Sequence, residues 1–198
     1  MLGHRFLILL IAPLLLGTLP SIAQYGAHTA PADLDQLVEQ SQTIVLGNVV
    51  STAIEPHPQF RNLRTVVVTM KVEQAFKGSV GSVLVFRQFL INGTDLSSSE
   101  YQPSQQLLLF LNPVSAYGLT SPVGLEQGRF RIMRDEKGNL SAVNGRGNLG
   151  LFNRVAIKAQ QRGIALSREA AAVVSQTQGP VSLSGLESLI QTLVSAQK

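Results

Sequence analysis

The chain predicts a mainly β fold with flanking helices, in the α+β class. Three observations carry that expectation. Residues 64–73 alternate apolar and polar side chains, several short β-rich runs are separated by turn residues, and capping boxes open amphipathic stretches near both ends. Hydrophobic residues make up 44% of the chain and charged residues 14%, a balance that buries a core and excludes a disordered protein.

The first 23 residues read as a secretory signal peptide. His4 and Arg5 precede an apolar run over residues 6–16 that only Pro13 interrupts, and Ser21-Ile22-Ala23 supplies small residues before a cleavage expected between Ala23 and Gln24. The run is shorter than the roughly 20 apolar residues of a spanning helix, and no Cys follows it to carry a lipid. The expectation is a mature secreted or periplasmic protein with no transmembrane segment. With no cysteine anywhere, apolar packing must hold the fold, without disulfides or thiolate-bound zinc. A net charge of +4, reduced by one when Arg5 leaves, is too small to argue for nucleic acid.

In chain order, Asp33-Leu34-Asp35-Gln36 is a capping box, and Leu34, Leu37, Val38 and Ser41 share a face, so a helix is expected over 33–42. Residues 43–51 are β-rich, with Gly47 inside marking a bend or close backbone approach. Two prolines make 55–62 a loop. Over 64–73, Val66, Val68, Met70 and Val72 point one way and Thr65, Thr69, Lys71 and Glu73 the other, a half-buried strand. Lys77-Gly78-Ser79 turns the chain into a strand over 82–90, followed by a polar loop over 92–104 and a strand over 106–111 that Asn112-Pro113 stops. Strands over 125–133 and 140–143 flank the hairpin signal Asp135-Glu136-Lys137-Gly138-Asn139. Helical character follows over 151–162 and weakly over 167–179. A second capping box, Ser184-Gly185-Leu186-Glu187, opens a terminal helix with Leu186, Leu189, Ile190, Leu193 and Val194 on one face.

The domain expectation is a signal peptide over 1–23, a β domain over 24–150 and a helical segment over 151–198 packing on it.

The chemistry-bearing candidates are few. Gly145-Arg146-Gly147-Asn148-Leu149-Gly150 matches the dinucleotide fingerprint G-x-G-x-x-G, but too little chain follows for the remaining βαβ units, so the glycines are expected to serve a turn. His28 and His57, the histidines left after processing, have no ligand-like spacing and are expected to be solvent-exposed. No Ser lies in a G-x-S-x-G elbow. Asp33, Asp35, Asp95, Glu126, Asp135 and Glu136 are scattered, and no glycosidase-like pair is singled out among them. No catalytic, cofactor-binding or metal-ligating set is therefore assigned. Arg129 and Arg131 share a face of one strand, where Arg87 could join them from another strand, while Arg61 lies in the 55–62 loop and Arg64 just after it. These five arginines are the candidate anion or partner contacts. Asn92-Gly93-Thr94 and Asn139-Leu140-Ser141 fit the glycosylation sequon.

Thr43-Ile44-Val45-Leu46-Gly47-Asn48-Val49-Val50, then Val66 to Val72 ending in Ala75-Phe76-Lys77-Gly78, resembles the start of the netrin-like module of tissue inhibitors of metalloproteinases. Leu107 to Pro113 and Val123-Gly124-Leu125-Glu126-Gln127-Gly128-Arg129-Phe130 are similar to a group of exported bacterial proteins that share this opening. The resemblance spans residues 33–133. It implies an OB-type, five-stranded Greek-key barrel. The inhibitory N-terminal Cys of that family has no counterpart, since the expected mature N-terminus is Gln24.

The functional expectation is an exported, non-enzymatic binding or adaptor protein. It would present loops 55–62 and 92–104 to an exported or envelope protein, with no cofactor. The alternatives are a secreted protease inhibitor and an envelope hydrolase with a carboxylate pair.

Overall fold

A computed structural model describes residues 30–90 and 100–197. The expected signal peptide, His28, the sequon at Asn92 and Asp95 lie outside the described residues, as does the 92–104 loop up to residue 99.

Helix α1 (Leu34–Gln40) begins where expected. Asp33 accepts the N–H of Gln36 at 3.0 Å while the Gln36 side chain accepts the N–H of Asp33 at 3.0 Å. It ends two residues earlier than expected: Ser41 takes an extended backbone (φ −72°, ψ 135°), while its N–H and hydroxyl both close the last turn onto the Leu37 carbonyl. Leu34, Leu37 and Val38 are fully buried, each contributing about 1.5–3 kcal/mol by leaving water.

Strands β1 (Thr43–Pro56) and β2 (Arg64–Lys77) form one long antiparallel hairpin. Both outrun the expected 43–51 and 64–73: the ladder carries β1 on to Pro56↔Arg64, through residues whose composition alone reads as loop, and carries β2 on to Ile44↔Lys77. Gly47 sits at a register shift in this hairpin. A Cβ there would meet the Lys71 carbonyl oxygen, so the close backbone approach expected from the sequence is present.

Strands β3 (Val83–Phe89) and β4 (Gln106–Leu111) flank the hairpin, giving the spatial order 4-1-2-3 of a Greek key. Residues 125–128 form a single 3-10 turn, Leu125–Gly128, rather than the start of a strand: Gly124 and Leu125 both have positive φ. Strand β5 (Arg129–Arg134) follows, then β6 (Leu140–Asn144) across the expected hairpin.

The expected closed five-stranded barrel is not formed. The sheet is open and has seven strands in the order β3-β2-β1-β4-β5-β6-β7, where β7 is the two-residue strand Val181–Ser182. The physical reason lies in β5. Both of its edges are taken, by β4 and by β6, so none remains to pair with β3.

The C-terminal region supplies helices α2 (Val155–Gln161), α3 (Arg168–Val174) and α4 (Leu183–Ser195). The first two are shorter than the expected 151–162 and 167–179, with turns over 149–154 in place of a first helical turn. The cap of α4 is Ser182, not the expected Ser184: the Ser182 hydroxyl accepts from the Gly185 N–H, and α4 starts at Leu183.

Two cores result. On one face, α1 and α4 cover Ile44, Leu46, Leu108, Phe110, Phe130 and Ala142. On the other, the sheet curls over Val45, Val66, Val68, Met70, Phe86, Leu107 and Leu109. The expected inward set of β2 is thus confirmed. Thr65 departs from the pattern: it is buried on the outer face, where Arg87 covers it.

Candidate functional site

The hairpin end of the sheet brings together His57, Phe60, Tyr117, Arg61 and Arg64. His57, expected to be solvent-exposed, is only 2% exposed and knits two loops together. Its Nδ1 accepts the backbone N–H groups of Gln59 and Phe60, each at 3.2 Å, which leaves Nε2 to donate to the Tyr117 carbonyl oxygen at 2.8 Å. The Phe60 ring stacks on the imidazole at 5.2 Å and meets the Tyr117 ring edge-on at 5.3 Å. Phe60 and Tyr117 are nonetheless 42% and 56% exposed. The β1–β2 turn and the 113–119 loop therefore present two aromatic rings from a hydrogen-bonded platform, with Arg61 and Arg64 exposed beside them. No sequence spacing links His57 to Tyr117, which is why their partnership was not legible.

Next to this platform lies the seam where the sheet fails to close. The Thr120 N–H donates to the Arg87 carbonyl at 2.9 Å, pinning the loop after β4 to the free edge of β3. A cavity of about 250 Å³ opens along the seam, lined by Val67, Leu84, Phe86, Leu111, Val114 and Arg87 among others. The lining is largely apolar, with Asn112 and Thr120 as polar points.

The five candidate arginines fall into two groups. Arg87 bonds to the Thr65 hydroxyl at 2.6 Å and to the Glu55 carboxylate at 3.0 Å, on the outer face with Val67. Arg61 and Arg64 stand at the same end of the molecule. Arg129 and Arg131 do share a face, but it is the opposite one, in register with Leu109 and Leu107. Arg129 pairs with Glu100 at 3.2 Å and lies over the Tyr101 ring. Burial pushes the Tyr101 phenol well above its usual range, with Arg129 opposing, and its hydroxyl donates to Gln88. Arg87 therefore joins Arg61 and Arg64, not Arg129 and Arg131.

The glycine motif at 145–150 is a knitted turn. The N–H groups of Gly145, Arg146, Gly147, Asn148, Leu149, Gly150 and Leu151 all bond to protein oxygens, those of Glu126, Asn144, Arg146, Asn148 and Thr177. None is left to cradle a phosphate. Asn148, fully buried at φ +57°, anchors the turn by donating to the Ala142 and Gly179 carbonyls.

Three of the candidate carboxylates, Asp33, Asp35 and Asp135, are likewise engaged. Asp35, 2% exposed, receives Arg162 through two bonds of 2.7 and 3.1 Å and Lys158 at 3.3 Å, while Asp33 takes Lys158 at 2.9 Å. Asp135 accepts the N–H groups of Lys137 and Asn139 inside its turn. Among the described residues no cluster of His, Cys, Asp and Glu is arranged to hold a metal ion, and no helix is long and apolar enough to cross a membrane. No family model, curated protein or solved structure matches the chain.

Proposed function

We propose that the chain is an exported, non-enzymatic binding protein that engages an exported or envelope protein through the hairpin end of its sheet. One observation carries the reading: Phe60 and Tyr117 are held rigid from beneath by buried His57 yet face solvent, with Arg61 and Arg64 alongside. Exposed aromatics and arginines on a preorganised scaffold are the residue types that dominate binding energy at protein interfaces. The 55–62 loop expected from the sequence contributes Phe60 and Arg61 to this surface.

The netrin-like resemblance over residues 33–133 belongs to the same proposal. Support for it comes from the Greek-key order of β1–β4 and from the turn at Gly78, with φ +83°, that ends the Phe76-Lys77 stretch of β2. Export rests on the signal-peptide pattern of residues 1–23.

The test is affinity capture from the exported and envelope fractions with residues 24–198, compared with the Phe60→Asp, Tyr117→Asp double variant. A partner retained by the wild type and lost by the variant supports the reading; identical capture by both proteins overturns it. Mass spectrometry of exported material is expected to find Gln24, or its cyclised form, at the N-terminus.

A further inference from the structure

The seam beside the aromatic platform has the properties of a strand acceptor. Strand β3 pairs with β2 through its even-numbered residues: the Leu90 N–H reaches the Arg64 carbonyl at 3.0 Å, and the Ser82 carbonyl takes the Val72 N–H at 2.9 Å. The backbone groups of Val83, Val85, Arg87 and Phe89 therefore face the free edge. Thr120 occupies the Arg87 carbonyl, whereas the N–H and C=O groups of Val83 and Val85 have no partner among the described residues.

Natural sheets guard such an edge with Lys, Pro or a bulge. Here the edge carries two β-branched apolar residues, Val83 at 55% and Val85 at 58% exposure. The cavity of about 250 Å³ runs along this edge, walled opposite by Leu111, Asn112 and Val114. An added strand would point alternate side chains into that cavity while its backbone met Val83 and Val85.

Charge selects the occupant. Arg61 and Arg64 are exposed and make no ion pair among the described residues, and Lys71, opposite Val83, is exposed at the other end of the edge. Glu55 is already engaged by Arg87. A second copy pairing edge to edge about Val85 would oppose two basic rims. It would also set Val83 against the copy's Arg87, which the Thr120 loop already covers. A single segment that pairs with Val83 and Val85 and stops short of Arg87 leaves the Thr120 contact intact, and acidic residues at its Lys71 end meet a positive charge.

We infer that the open edge of β3 and the cavity beside it accept an extended peptide segment of the partner, apolar at alternate positions and acidic at one end, as an added strand. This rests on the binding reading above and specifies how the partner's chain would be held.

The probe is a fluorescein-labelled octapeptide with valine alternating with threonine and two glutamates at one end, followed by anisotropy and by amide hydrogen exchange at Val83 and Val85. Binding is expected, with slowed exchange at both amides. It should weaken at least about tenfold with Val85→Pro, and equally when wild-type protein meets the same peptide N-methylated at alternate amides. The N-methylated peptide keeps the test valid should the proline variant fail to fold. No binding at about 1 mM, or binding indifferent to N-methylation, overturns the inference, as does binding only to anionic phosphatidylglycerol vesicles. A partner still captured through Phe60 and Tyr117 while the peptide fails would sink strand addition alone; loss of capture specificity would sink the binding reading itself.

Discussion

The Nε2 of His57 lies 2.8 Å from the carbonyl oxygen of Tyr117, a bond that joins the β1–β2 turn to a loop 60 residues further along the chain. It fixes both loops of the proposed binding surface from beneath, because Nδ1 of the same ring also holds the N–H groups of Gln59 and Phe60. His57→Ala is expected to leave two donors and one acceptor without their partner and to remove the ring under Phe60. A loss of about 2–3 kcal/mol follows, read from urea unfolding. A change below about 0.5 kcal/mol would show that the loops hold each other without it.

The register of β2 makes a sharper demand. Val68 and Met70 are fully buried in the second core, whereas Thr69 faces outward beside Ser51 and Val85. Val68→Asp or Met70→Asp would place an unpaired charge in that core and cost more than about 3 kcal/mol, with Thr69→Asp staying within about 1. Equal tolerance at the three positions, measured by thermal and urea unfolding, would refute the register.

That strand was legible in the sequence because its period of two is set by the pleat and needs no distant partner. The Asp33 cap was legible for the same reason: its partners lie within three residues. Closure of the sheet was not. The hairpin signal at 135–139 records the pairing of β5 with β6, but no side-chain pattern in residues 129–134 records that the other edge of β5 goes to β4 and not to β3. His57 shows the same limit at the site, since its burial comes from a loop that the sequence places far away. The Arg87 grouping failed on sidedness: a count of arginines on strands does not say which face of a curled sheet each occupies.

The ion-pair network between α1 and α2 is expected to respond asymmetrically. The Asp35 side chain is 3% exposed and the Arg162 side chain 45%. Arg162→Ala strands a buried carboxylate with only Lys158 at 3.3 Å, for a loss of about 2–3 kcal/mol. Asp35→Asn keeps the shape and leaves a largely solvated cation, so it should cost less, about 1 kcal/mol. Reversed magnitudes in chemical denaturation would mean that Asp35 is better solvated than its position indicates.

Glu187 on α4 gives a pH prediction. Desolvation, and secondarily the negative charge of Glu73, raise its carboxyl above the usual range. A raised acid favours the protonated folded form, so its favourable contribution is complete below the unfolded-state value and is lost as pH rises through the folded-state value. Glu187→Gln should therefore stabilise the protein at neutral pH, by a few tenths of a kcal/mol given solvent screening, and have little effect at pH well below the carboxylate range. Melting curves across pH 3–8 check the sign, and a variant less stable at pH 7 than the wild type would contradict it.

The central claim is that the hairpin end meets a partner. Its most direct test is site-specific photocrosslinking in the native compartment, with a benzophenone side chain placed at Phe60, at Tyr117 or at Leu149. All three positions are exposed, and Leu149 lies in the knitted turn before α2, away from the platform. One discrete higher-mass product is expected from positions 60 and 117 and none from 149. Crosslinks of equal yield at all three positions, or confined to 149, would contradict the claim.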